Sequence, residues 1–498
     1  MNPVLDCLLT TVSSYPEKTA IADKENSFTF SALASYSARL GNTVLRRCEK
    51  VGAVGVFVNR NAETAVLFLS VLYAGGFYVP LDPDLPSSKL SSIIEDAGIS
   101  LLLGSEDNRP RLSEISFNGD FLTVEHMDEH ECSVPDRSPD SPLFMVYTSG
   151  STGKPKGVLK SHGAMINFID TYTKTFEFSS DDVIGNQTPF FFDASAKDLY
   201  LMIKCGATIQ ILPSELFSFP VRLIEYMNEK GVTFICWVPT ALCIVTQLNT
   251  FMEILPTTLK KVFFVGEVMP RKHLDKWMKA LPHLKYVNLY GSSEIAGICC
   301  YYEVSNEKEL SPDRPLPLGR PLSNCTLFLT DNGEFVTEQK RIGEICISSE
   351  ALALCYYNDK EKTDSSFVTM TLPDGSVSRV FKTGDMASFD EHGDLSFAAR
   401  KDFQIKHMGR RIELGEIEAI ADTLPSIRRC CCHYNPEKKH IILFCELTDG
   451  YTLTPREIKT SLKGHLTDYM MPAKVIVKDA LPINANGKID RQKLKSEI

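Results

Sequence analysis

Between Val51 and Leu103 the apolar pattern changes period four times. It is strand-like over Val54–Val58, helix-like over Ala62–Tyr73, strand-like over Phe77–Pro80, helix-like over Ser87–Ala97 and strand-like again over Ser100–Leu103. Such a β-α-β-α-β alternation predicts parallel strands, because a crossover helix is what returns the chain to the same end of a sheet. Ligands of doubly wound sheets gather at the loops beyond the strands' C-terminal ends. Further apolar strands are predicted at Leu143–Tyr147, Ala207–Leu212, Phe234–Val238 and Val262–Val265.

The pattern changes near Arg400-Lys401-Asp402, after a short hairpin around His392-Gly393. A helix is predicted over Leu414–Thr423, stopped by Pro425, then strands over Arg428–His433 and His440–Glu446 and a second helix from near Pro455. The expected fold class is α/β: a large N-terminal domain of doubly wound mixed sheets (residues 1–400) and a small α+β C-terminal domain (residues 403–498), with a hinge at 401–402. A chain of 498 residues is long enough to enclose a cleft.

A net charge of -10 argues against a nucleic-acid partner, and no apolar run is long enough to cross a bilayer. The segment Met1–Pro16 has no basic region ahead of its apolar stretch, so it does not read as a secretory signal, and a cytoplasmic location is expected. Fifteen cysteines fall largely in apolar segments and are read as reduced, buried thiols. The run Cys430-Cys431-Cys432-His433 lacks paired metal-ligand spacing, and in a strand its neighbours point to opposite faces.

Directly behind the predicted strand Leu143–Tyr147 runs Tyr147-Thr-Ser-Gly-Ser-Thr-Gly-Lys-Pro-Lys-Gly157. Close-approaching backbone, hydroxyls and cations suit a polyphosphate, which marks Thr148, Ser149, Gly150, Ser151, Thr152, Gly153 and Lys154. The spacing is not that of a P-loop, since Lys154 is followed by Pro155.

This loop resembles the signature of the adenylate-forming superfamily, which comprises acyl-CoA synthetases, luciferases and the adenylation domains of nonribosomal peptide synthetases. Four further blocks stand in that superfamily's order: Asn288-Leu-Tyr-Gly-Ser-Ser-Glu294, Phe381-Lys-Thr-Gly-Asp385, Arg400-Lys-Asp-Phe-Gln-Ile-Lys406 and Asn486-Gly-Lys488. The resemblance implies ATP and Mg2+ as cofactors. It implies nucleotide contacts from Asn288, Tyr290, Gly291, Ser292, Ser293 and Arg400, with Tyr290 as a flat face for adenine, Asp385 on the ribose hydroxyls and Glu294 on the metal. Lys488, with Thr148 and Glu294, is the expected catalytic set, because one ammonium can bridge the α-phosphate and the leaving pyrophosphate. Asp402 matches the hinge, and Gly409 the wall of a pantetheine tunnel. Read without the resemblance, Tyr290 is a core aromatic, Glu294 a helix N-terminal charge and Lys488 a solvated surface group. Cys355 departs from the superfamily pattern, where glycine is usual, which puts the local backbone in question.

Phe191-Phe-Asp-Ala-Ser195 is similar to the branches that activate amino acids, including D-alanine–carrier protein ligase. There the carboxylate matched by Asp193 pairs with the substrate ammonium, a buried carboxylate needing a cation. The plain alternative is an Asp193 side chain capping a helix that starts at Ala194. Alignment to the family pocket gives Asp193, Ala194, Lys197, Cys236, Phe263, Val265, Gly266, Leu289, Gly297 and Ile298 as its lining. Bulk at Phe263, Val265 and Leu289 implies a small amino acid: alanine of either hand, β-alanine or serine. Lys197 is read on the outer face of its helix, snorkelling to solvent; turned inward, it would favour an acidic substrate. The chain ends ten residues after Lys488, so a phosphopantetheinylated carrier protein is expected in trans. The rivals are an acyl- or aryl-CoA synthetase and a catalytically silent scaffold.

Overall fold

The computed structural model describes residues 2–48, 50–148, 155–304, 315–401, 404–483 and 489–497. The chain divides into two compact units. The first comprises Met1–Pro83, Ile94–Val146 and Gly157–Lys401; the second runs from Asp402 to Ile498 and takes in Asp84–Ile93 and Tyr147–Lys156. The sequence pattern assigns those two short segments to the large domain.

The alternation at Val51–Leu103 folds as its period requires. Strands Ala53–Phe57, Phe77–Leu81 and Leu101–Leu103 are parallel, with helices Glu63–Tyr73 and Ser87–Ala97 as their crossovers. They belong to a seven-stranded sheet that also contains Pro142–Thr148 and Lys156–Ser161. Cys355–Tyr356 closes one edge, antiparallel to Lys156–Ser161. Cys355 therefore sits in a regular strand opposite Leu159, and glycine is not needed there.

A nine-stranded sheet is parallel across its centre, from Thr19–Ala22 through Thr208–Ile211, Val183–Asn186, Phe234–Trp237 and Lys261–Val265 to Lys285–Tyr290. Its edge strands are antiparallel. A six-stranded antiparallel sheet follows, built around the long strand Val377–Phe389, on which Leu395–Arg400 pairs.

The helix Asp193–Cys205 is wedged among strands of both parallel sheets. Its Tyr200 hydroxyl lies 2.8 Å from the hydroxyl of Tyr78 in the seven-stranded sheet. Its Asp198 accepts a hydrogen bond at 2.9 Å from Asn186 in the nine-stranded one. Phe68, Tyr78, Phe144 and Tyr200 stack in sequence on one side. Phe234 and Phe263, from two neighbouring strands, pack edge to face at 5.1 Å, and Phe176 meets Phe263 at 4.8 Å. Offset and edge contacts of this kind add to the large area that each ring buries.

In the second unit the hairpin Gln404–His407 and Arg410–Glu413 turns through Met408 (φ 51) and Gly409 (φ 76). Two consecutive positive φ values are the mark of a type I′ turn, which matches the twist of the strands it joins. A three-stranded sheet of Ile427–Asn435, His440–Leu447 and Lys474–Lys478 carries the helices Leu414–Asp422 and Pro455–Leu462. The cysteine run lies in its first strand and alternates as a strand must: Cys430 and Cys432 enter one apolar cluster with Cys445, while Cys431 enters another with Phe444 and Leu481. All fifteen cysteines are free thiols. Among the described residues no helix is long and apolar enough to cross a membrane.

Candidate active site

Asp385 lies in the bulge region of the strand Val377–Phe389, opposite Arg400 in the ladder. The Arg400 guanidinium donates to Asp385 Oδ1 at 2.6 Å and to the Thr383 carbonyl at 3.3 Å. The Tyr290 hydroxyl donates to the other carboxylate oxygen, Oδ2. Thr383 completes the turn by accepting from the Asp385 amide at 3.0 Å and donating to the Ile345 carbonyl at 2.9 Å. Asp385 is thus 3% exposed yet has one donor on each oxygen, and each oxygen keeps a lone pair for a further donor such as a sugar hydroxyl. Tyr290 is 5% exposed, and its phenol, held well above its ordinary pKa by burial and by Asp385, orients that carboxylate.

Glu294 is fully buried and accepts from the Tyr356 hydroxyl at 2.7 Å. No helix begins there; Ile295 instead forms an isolated bridge with Leu352, so the helix N-terminal role is absent. Asn288 ties the strand Lys285–Tyr290 to the Pro317 carbonyl at 2.8 Å. The Ser292 hydroxyl is buried and has no hydrogen-bond partner among the described residues. The same holds for Thr148 Oγ1 at the end of its strand. A buried hydroxyl without a partner carries a desolvation penalty that a bound polar ligand relieves. Among the described residues no cluster of three or more His, Cys, Asp or Glu could hold a metal ion. A magnesium ion held by one carboxylate and substrate phosphates needs no such cluster. Ser149–Lys154, Asp402 and Lys488 lie outside the described residues.

Around the helix Asp193–Cys205 the structure departs from expectation in three ways. First, Asp193 does not cap the helix: Phe192 is the N-cap residue and makes no side-chain cap. Second, the Asp193 carboxylate already has a cation, because Lys160 Nζ donates to its Oδ1. Burial raises the Asp193 pKa and Lys160 opposes the shift. The idea that a substrate ammonium is the partner this carboxylate lacks is therefore corrected. Third, Lys197 does not snorkel. It is 3% exposed and donates to the Ala194 carbonyl at 3.0 Å and to Asp198 Oδ1 at 2.9 Å. Burial alone would lower its pKa, but Asp198 and Cys236 outweigh it and the net direction is up. The Cys236 thiol is pushed up to about 11 by burial.

The rest of the expected lining is close-packed. Phe263 has no exposed surface, and Cys236, Leu289 and Ile298 each have 3%. Gly297 adopts φ +75, and a Cβ there would stand 2.1 Å from the Phe168 ring. Cys236 lies opposite Phe263, and Val265 opposite Leu289, in adjacent parallel strands. A narrow cleft lies on the other side of the helix, bordered by Phe68, Tyr78, Phe144, Phe190 and Phe192. Of the sequence-derived lining only Asp193 borders it. Lys160, Asp198, Asn186 and Tyr356 contact candidate residues or their ion-pair partners, and sequence reasoning does not single them out. Lys160 had a signal: at i+2 from Val158 in a strand buried from Gly157 onward, it faces the same side as Val158 and must be partnered there.

The AMP-binding enzyme family matches residues 8–357, and the AMP-binding enzyme C-terminal domain matches residues 416–488. Zwittermicin A synthase ZmaJ of Bacillus cereus is 32% identical, over 96% of this chain and 92% of its own length. Vanchrobactin synthetase VabF of Vibrio anguillarum is 28% identical over 98% of this chain but only 18% of its own, much longer, length. The crystal structure of IdnL1 superposes with a TM-score of 0.81 at 25% identity, covering 96% of this chain and 98% of that one.

Replacing Lys197 by Met is expected to destabilise the large unit by about 3–5 kcal/mol, because Asp198 would stay buried with Asn186 as its remaining hydrogen-bond donor. The double change Lys197→Met/Asp198→Asn should recover most of that loss. Urea unfolding midpoints of the three proteins check it, and equal midpoints for parent and single variant would refute the account.

Proposed function

The chain belongs to the AMP-binding enzyme family, whose relatives here are adenylation units of the nonribosomal peptide synthetase type, and from that premise we propose a substrate and an acceptor for its adenylating ligase activity. It activates a small amino acid with ATP as the aminoacyl-AMP, releasing pyrophosphate, and then passes the acyl group as a thioester to the phosphopantetheine of a carrier protein in trans. It does so in the cytoplasm. The observation that carries the substrate reading is Asp193. Its second carboxylate oxygen has no hydrogen-bond partner among the described residues, while its side chain stays 14% exposed beside the cleft. That oxygen suits an amino group.

The size reading rests on the aromatic walls of the cleft beside Asp193, the rings of Phe68, Tyr78, Phe144, Phe190 and Phe192, which leave little room for a long side chain. Overfilling a packed pocket costs about 1–3 kcal/mol. An acidic substrate is disfavoured because the Lys197 ammonium is already held by Asp198.

In the adenylation step the carboxylate oxygen bonds to the α-phosphorus and the bond to pyrophosphate breaks. Asp385, fixed by Tyr290 and Arg400, accepts the ribose hydroxyls; Glu294, steadied by Tyr356, would hold Mg2+, which would supply neutralising charge to the phosphates. Lys488 stabilises the charge that develops between α-phosphate and pyrophosphate. The second step needs the thiol to reach the acyl-AMP carbonyl, and a turn about a hinge at 401–402 with Gly409 lining the thiol's path serves it.

Amino-acid-dependent exchange of pyrophosphate into ATP, run over the twenty amino acids with D-alanine and β-alanine, is expected to be fastest with a small substrate and to require Mg2+. Lys488→Ala should slow it by about a hundredfold or more with ATP binding largely kept. A preference for aromatic or long aliphatic acids would discard the pocket reading. Exchange with aryl or fatty acids alone, and transfer to coenzyme A rather than a carrier, would move the chain to the acyl-CoA branch. No exchange with any acid would leave only a nucleotide-binding scaffold.

Gly409 carries a second expectation. A side chain at φ 76 is strained whatever space surrounds it, so Gly409→Leu alone mixes backbone strain with bulk. Gly409→Asn tolerates the conformation better. Both variants should form aminoacyl-AMP at near the parent rate, with thioester formation on a carrier lost in the Leu variant and reduced less in the Asn variant. Parallel loss of both half-reactions in both variants would assign Gly409 to the turn alone.

A further inference from the structure

The ion pair between Lys160 and Asp193 has no part in the adenylation step above. Where a buried carboxylate has only the substrate's ammonium for a counter-charge, an acid without that ammonium is rejected, since binding it leaves the carboxylate uncompensated. Asp193 is in a different position. Lys160 has no exposed surface; its ammonium donates to Asp193 Oδ1 and, at 3.2 Å, to the Ile295 carbonyl, and it stands 5.4 Å from the centre of the Phe144 ring. Three partners hold it inside the protein, and a buried ammonium so held cannot withdraw to solvent when a ligand arrives. The carboxylate is therefore balanced before any substrate binds. Among the described residues, Glu294 opposes and Lys197 supports the charged form of Asp193, and Lys197 is itself paired with Asp198. The carboxylate oxygen left over needs a hydrogen-bond donor, which an ammonium or a hydroxyl supplies.

Resting on the amino-acid reading above, we propose that Lys160 is a specificity-determining residue that extends the substrates from small amino acids to the matching hydroxy acids, whose hydroxyl donates to Asp193 in place of the ammonium. The reacting end is the same for both. The carboxylate oxygen forms its bond to the α-phosphorus, pyrophosphate leaves with the electron pair of the broken bond, and the hydroxyl keeps its proton.

Pyrophosphate exchange with the full chain compares glycine, alanine and serine with glycolate, lactate and glycerate, in the parent and in Lys160→Met. In the parent, kcat/KM for each amino acid should exceed that for its hydroxy acid by less than about a hundredfold, and Lys160→Met should widen the ratio by about tenfold or more, since Asp193 then depends on a substrate cation. An unchanged ratio in the variant, or a parent that uses amino acids and rejects all the hydroxy acids, overturns the proposal. If Lys160→Met does not fold, Lys160→Met/Asp193→Asn buries no uncompensated charge and is measured instead. Its ratio should fall to within about a few-fold of unity, and a retained amino-acid preference overturns the proposal. Exchange with no acid of either kind removes the amino-acid reading and this inference with it; exchange with amino acids alone removes only this one.

Discussion

The helix Asp193–Cys205 has to bury Asp193, Lys197 and Asp198 among strands of two large sheets, and the substrate side of the molecule is arranged around that requirement. Each charge is satisfied by a different neighbour. Lys160, from the seven-stranded sheet, answers Asp193, while Asn186 and Cys236, from the nine-stranded sheet, lie with the Lys197–Asp198 pair. Isolated ions in such an interior would be expelled or neutralised; paired and hydrogen-bonded, they persist at a net energy near zero and fix the helix in one rotation and register. The opposed neighbours leave that helix little freedom to slide.

The nucleotide side rests on a comparable arrangement with different parts. Asp385 is gripped by Tyr290, the last residue of a strand in the nine-stranded sheet, and by Arg400, the last residue of a strand in the six-stranded sheet. One carboxylate therefore joins two sheets, and its geometry is set before any ligand contacts it. Preorganisation of that kind removes an ordering penalty from binding.

Much of this is legible in the sequence, for identifiable reasons. Period-two and period-3.6 patterns place the parallel strands, and the helix Ser87–Ala97 matches its expected limits. The alternation of Cys430, Cys431 and Cys432 follows from strand geometry alone. Local pattern fails where a side chain's fate depends on a distant segment. Lys197 reads as a surface lysine until the helix is known to be enclosed on both sides, and the phenol of Tyr290 has no visible partner until Asp385, far along the chain, is seen to accept from it. Strand alternation marks Lys160 as facing inward with Val158, but only its pairing with Asp193, across 33 positions, gives it a role. Gly409 reads as part of a ligand path, while its positive φ gives it a backbone reason of its own.

The pairing of Lys160 with Asp193 and of Lys197 with Asp198 also constrains how such a chain diversifies. A single mutation at any of these four sites leaves its partner's charge uncompensated, so the route from one substrate preference to another passes through destabilised intermediates unless both members change together. Natural drift at this helix is then expected in coupled steps, and a library that randomises Asp193 or Lys197 alone would sample many destabilised sequences. A productive search would vary the strand carrying Lys160 and the helix carrying Asp193 as one inheritable unit.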